Sequence, residues 1–166
     1  MSLITLPAAI QEAVAPLFDA LPLDQAMSKL IVHDPGPTEL VREIIQSPAI
    51  GTDSLLASGL WLYVDQLILS HDISQKFHDQ TGSFWHGIMH RREGDFGNSH
   101  YWFRKVGQHP AMPNIQTPDG GDYDGHALID DVEAGYRNPD LIAELIQRQR
   151  TEWAGLFQWC ASNQSS

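Results

Sequence analysis

The sequence predicts an all-α fold, and three observations carry that prediction. Apolar residues recur at spacings of three and four in one segment after another. Pro, Gly and Asn-Pro breakers punctuate the chain between those segments. No convincing run of alternating apolar and polar residues, the mark of a half-buried strand, occurs anywhere.

The 166 residues suit one domain large enough to bury a core unaided, so 1–166 is read as a single helical domain. Apolar residues make up 42% of the chain and charged ones 19%, an ordinary globular balance. A net charge of −11 argues against binding along nucleic acid or lying on an anionic membrane. The single cysteine, Cys160, excludes an internal disulfide and fits a reducing compartment. No basic residue precedes Lys29, so a secretory leader with a charged start is not expected. The most apolar run, Ser54 to Ser70, contains Asp65 and Gln66, which favours a buried helix over a membrane span. A cytoplasmic location is the expectation.

Residues 5–20 read as the first helix, with Thr5 as cap and Ile10, Val14, Leu17 and Phe18 on one side. Asp24 then caps a short helical segment carrying Met27, Leu30 and Ile31, ended by His33-Asp34-Pro35-Gly36-Pro37. Pro37 or Thr38 opens the next helix, with Leu40, Val41, Ile44 and Ile45, which stops before Pro48. Thr52 or Asp53 caps a long apolar helix through Leu69, almost without a polar face and so expected at the centre of a bundle. A second subunit would help to cover it, which raises a homodimer. Ser70 caps a helix from His71 to Asp79.

The stretch from Gly82 to Pro110 reads as a helical hairpin. Phe84, Trp85, Ile88 and Met89 make one stripe; Gly94-Asp95 ends the first helix and caps the second. Phe96, Ser99, Phe103 and Val106 line the second helix, which Gly107 and Pro110 close. So short a turn predicts antiparallel packing. Residues 108–125 hold too many Pro and Gly for a regular element and read as a functional loop. A helix from His126 to Tyr136 follows, then a last helix from Pro139 or Asp140, with a frayed tail from Ser162.

The spacing of Gly87, Gly94, Phe96, Ser99, Phe103 and Pro110 resembles one tetratricopeptide repeat, and Sel1-like repeats are similar enough to fit. The match covers one unit, so the expected architecture is a set of packed antiparallel hairpins, TPR-like or an irregular helical bundle. The resemblance implies a binding or scaffold module. Arg91 and Arg92 fall near the positions that line that family's peptide groove, where basic residues hold a partner's terminal carboxylate in some members. His86 and His90 fall where it has Leu and a large aromatic.

Several groups of residues carry chemistry on their own. His86, His90 and Glu93 lie at i, i+4 and i+7, one face of a helix, and suit a divalent transition metal with positions left for water. Gly87 stands where a His-Glu-x-x-His motif has its general base, so that protease pattern is absent. Asp72, Asp130 or Asp131 can complete such a site from another helix; the plainer reading buries the histidines with hydrogen-bond partners. His33, His71-Asp72 and Asp130 have the order of an HD-type phosphohydrolase, on a common dipeptide. Gly121 to Gly125 partly overlays a calcium loop but lacks the first acidic ligand. Arg91, Arg92, Arg104 and Lys105 among Trp85, Tyr101 and Trp102 suit ion pairs first and an anion groove second. Cys160 lies on an apolar stripe and reads as a packing residue.

The leading expectation is thus a binding or scaffold module for a protein or small anionic ligand, using Arg91, Arg92, Tyr101 and Trp102. The alternative is a metal-dependent enzyme, a hydrolase, with His86 and His90 as ligands and Glu93 or an Asp beside them.

Overall fold

The computed structural model describes residues 4–164. Among these residues all regular structure is helical: α1 (Ala8–Ala20), α2 (Glu39–Ile44), α3 (Leu55–Tyr63), α4 (Leu67–Ser74), α5 (Gln80–Arg92), α6 (Phe96–Val106), α7 (Gly125–Gly135), α8 (Ile142–Ser162), and one 3-10 turn (Met112–Asn114). Among the described residues no helix is long and apolar enough to cross a membrane.

The expected 54–69 helix is two helices. Ser54, not Thr52 or Asp53, caps α3 by accepting the Ala57 N–H at 3.0 Å. The helix stops at Tyr63 because Asp65 takes a left-handed backbone, φ 63°. Gln66 holds the break, its side-chain amide donating to the Gly36 carbonyl and its N–H to the Trp61 carbonyl. Ser70 caps nothing; it lies inside α4, buried, 3.0 Å from Ser58 Oγ. From Leu56 to Tyr63 every residue of α3 is buried by this chain's own helices, so no second subunit is needed there. Ile68, 72% exposed, is what α4 leaves uncovered.

The short helix expected after Asp24 does not form. Met27 adopts φ 51°, which takes the chain off a helical path. Side chains of other helices satisfy the irregular backbone instead. Gln149 Nε2 donates to the carbonyls of Met27 and Lys29, both at 3.1 Å, and Arg150 Nε to that of Ala26 at 2.8 Å. The Val32 N–H donates to the Arg92 carbonyl at 2.8 Å.

The α5–α6 pair forms as expected, with a longer first helix. Asp79 caps α5 five residues ahead of the apolar stripe, accepting the Gly82 N–H at 2.8 Å. Gly94, at φ 87°, makes the left-handed stop, and Asp95 accepts the Asn98 N–H at 3.2 Å to start α6. α5 packs on α3, α4 and α6, and everything from Thr81 to Arg92 is buried. It is the central helix, a place expected for 54–69.

Residues 108–125 are anchored to the core through His109, Ala111 and Ile115, while Pro118 to Asp122 are exposed. The buried His109 accepts the Ala111 N–H on Nδ1 at 3.0 Å and donates from Nε2 to Thr81 Oγ1 at 2.9 Å. Asp124 caps α7, which begins at Gly125. α1 and α8 start later than expected. Pro7 rather than Thr5 precedes α1, and α8 follows Leu141 with no side-chain cap. α8 continues to Ser162, so the tail is shorter than predicted; residues 165–166 lie outside the described chain. The main apolar core draws on residues from Ile10 to Ala161, with Trp85, Trp153, Phe157 and Tyr63 at its centre.

Candidate metal centre

α5 presents His86 and His90 one turn apart toward α4, which brings His71 against them. One ring nitrogen from each of the three lies within 4.8 Å of the others. His86 and His90 are buried, at 4% and 7% exposed; His71 is partly open and gives the cluster its access to solvent. The indole of Trp102, from α6, stacks on His86 with ring centres 3.7 Å apart and planes 15° apart. Trp102 thereby fixes the imidazole plane and closes that side of the cluster.

Burial first, and the neighbouring His71 and His90 next, press the His86 pKa down to about 3. His71 is lowered for the same leading reason, with His90 adding to it. Both are therefore neutral near pH 7, the form that coordinates a metal. Glu93 is expected above as a ligand, and the structure gives it a different place. Its carboxylate sits 2.5 Å from His90 Nδ1. It accepts the Nδ1 proton, which leaves the Nε2 lone pair of His90 free to coordinate. A carboxylate behind a ligating histidine sets tautomer and orientation and raises basicity. His90, Glu93 and Asp95 also form a second, more exposed group of ligand atoms.

Arg91 and Arg92 line no groove. Both guanidinium groups are fully buried and engaged. Arg91 makes a two-pronged pair with Glu152, at 3.1 and 2.8 Å, and the Tyr123 hydroxyl donates to the same carboxylate. Arg92 donates to the carbonyls of Leu62 and Lys29 and, at 2.6 Å, to Asp65. Neither can reach a partner's carboxylate; they tie α5 to α8 and to the α3–α4 break. A helix with polar residues all round can be central only if they find partners inside. The terminal guanidinium nitrogens of both arginines do, while the two buried Nε atoms have no hydrogen-bond partner among the described residues.

Tyr101 is 44% exposed and Trp102 half-buried, with the Lys105 ammonium 5.2 and 5.5 Å from their ring centres. Asp130 and Asp131 do not join the histidines: Asp130 meets His100 at 2.9 Å and Asp131 pairs with Arg148 at 2.8 Å. Asp72 is exposed, and among the described residues neither it nor His33 shares a ligand group with His71. In the Gly121–Gly125 turn Asp124 is spent as a helix cap, and Asp119 folds back on the Gly121 N–H at 3.0 Å. Cys160 is buried, its thiol pushed up to about 12 by burial, as suits a packing residue.

His71 is the residue that sequence reasoning placed in another constellation. It lies 15 residues before His86, across two helix ends, and only the break at Asp65 sets the direction of α4 that brings them together. Compared with known proteins, the chain matches no family model, no curated protein and no solved structure.

Proposed function

We propose that the chain is a metal-dependent enzyme of the hydrolytic type, with His71, His86 and His90 holding one divalent transition ion. The convergence of three imidazoles within 4.8 Å carries the reading. Three neutral nitrogen ligands are the set of an open zinc-type centre, which keeps a further position for water or substrate. A bound ion would polarise a carbonyl or phosphoryl oxygen and bring the pKa of its water toward ~7. In this chain, Glu93 holds the His90 tautomer, Trp102 holds the His86 ring, and the half-open His71 marks the side from which substrate arrives. The buried lone cysteine accords with a cytoplasmic setting.

Protein purified without a histidine tag should carry, after reconstitution, about one zinc-class ion per chain at the His71, His86 and His90 cluster by elemental analysis. His90→Ala should lose that ion, together with any esterase or phosphatase activity that a chelator abolishes. An apoprotein that takes up no ion at the histidine cluster ends the proposal.

A second reading, a binding module for a protein or small anion, keeps one specific support. Exposed Tyr101, half-buried Trp102 and Lys105, which makes no ion pair among the described residues, form an aromatic and cationic patch on α6, the second helix of the hairpin that resembles a tetratricopeptide repeat. With Arg91 and Arg92 inside, that patch is where such a ligand would dock.

A further inference from the structure

We propose that His100 of α6 and His126 of α7 form a second, structural metal site, in which a divalent transition ion replaces the proton they share and ties the two helices together. The two Nδ1 atoms lie 2.7 Å apart, and the rings are within 4° of parallel. On its other side His100 meets Asp130, Nε2 to Oδ1, at 2.9 Å.

Counting donors and acceptors determines the protonation. The Asp130 carboxylate can only accept, so His100 Nε2 carries a proton. A neutral His100 then has a bare lone pair on Nδ1, aimed at His126. His126 must donate its Nδ1 proton to it, and His126 Nε2 is left unprotonated. One proton thus sits between two nitrogens that are both good metal ligands. Asp130 stands behind His100 as the carboxylate that orients a ligating histidine and raises its basicity.

The change of geometry needed is small. Two nitrogens on a tetrahedral ion at ~2.0–2.1 Å stand about 3.3 Å apart. The pair must open by roughly 0.6 Å, within reach of side-chain rotation for rings at the surface. The Asp130 side chain is 68% exposed and that of His100 24%, so ions and water have access. Water completes the coordination. On binding, the ion takes the Nδ1 lone pairs of both rings and the His126 proton moves through solvent from Nδ1 to Nε2, so both imidazoles stay neutral and no net proton is released. Zinc, copper(II) and nickel, which favour imidazole, are the class of ion expected.

This site shares no residue with the His71, His86 and His90 cluster, and the two stand or fall separately. Untagged protein is titrated with Zn2+ under calorimetry, with wild type, His126→Gln and His90→Ala side by side. Wild type should bind two ions, His126→Gln and His90→Ala one each. Asp130→Asn should weaken the second site by about tenfold or more and leave the first unchanged. If wild type binds one ion, lost in His126→Gln and kept in His90→Ala, the second site stands and the first falls. Equal numbers of ions in wild type and His126→Gln overturn the second site, as does unchanged affinity in Asp130→Asn. Imidazole NMR keeps the test independent of folding in the variants: in wild type, Zn2+ should shift the His100 and His126 nitrogens, and unshifted resonances refute the site.

Discussion

Arg91 and Glu152 are the residues whose loss should cost this fold most. Both side chains are wholly buried, and their pair is two-pronged. Removing one partner leaves the other charge stranded among apolar side chains, at a cost of about 3–5 kcal/mol. Arg91→Met should therefore shift the urea midpoint far down while leaving the denaturant slope unchanged. Tyr123 sharpens the expectation: its hydroxyl donates to Glu152, and its own pKa is raised, by burial first and by Glu152 next. Tyr123→Phe should cost less, about 1.5–3 kcal/mol, because the charged carboxylate keeps both its arginine bonds. An equal loss in the two variants would contradict the arginine's dominance.

At the scale of elements, aromatic rings seated on glycines set the spacing of the helices. A Cβ on Gly87 would stand 2.6 Å from Phe103 Cδ2, and one on Gly125 would stand 2.4 Å from Phe103 Cδ1. Phe103 of α6 is thus wedged between α5 and the start of α7. Ser99 seals the same seam, its hydroxyl donating to the Gly87 carbonyl at 2.6 Å. Gly87→Val should push α6 off α5 and lower stability by about 1–3 kcal/mol through overpacking. The Tm should fall by several degrees, at roughly 2–4 °C per kcal/mol for a chain of this size. The same displacement moves Trp102 away from His86, so the variant should also bind metal more weakly. A variant that melts with wild type would show that the contact yields without strain.

For the whole molecule, the buried histidines make stability depend on pH. The fold holds His86 at about 3 against an ordinary 6.5, mainly through burial, and lowers His71 and His109 in the same direction. The unfolded chain therefore binds more protons than the folded one below about pH 6.5, and stability falls as pH falls through that window. For His86 the slope reaches at most about 1.4 kcal/mol per pH unit between about pH 6.5 and 3, and less to the extent that solvent still screens the ring. Urea midpoints should drop between pH 7 and pH 5, and His86→Leu should flatten the trend. Zinc works the other way, stabilising by mass action by about 2.7 kcal/mol at a hundred times Kd. Its effect on Tm should vanish with chelator and shrink at pH 5, where protons compete for the imidazoles.

Local chemistry made the all-α class legible, along with most element cores and the Gly94-Asp95 turn, because periodicity, caps and left-handed stops act within a few residues. The pairing of His86 with His90 was legible for the same reason, being one helical turn. What lay beyond local reach was decided by tertiary structure. The break at Asp65 is held by Arg92 and Gly36, 27 and 30 residues from the side chains that bond them. That break aims α4, and so His71, at the cluster. Arg91 and Arg92 read as ion-paired first and as an anion groove second; the pairs form, with Glu152 and Asp65, but inside the protein, where charge alone predicts exposure. The burial of Arg91 depends on Glu152, 61 residues away, and a charge is tolerated inside only where the fold has delivered its partner.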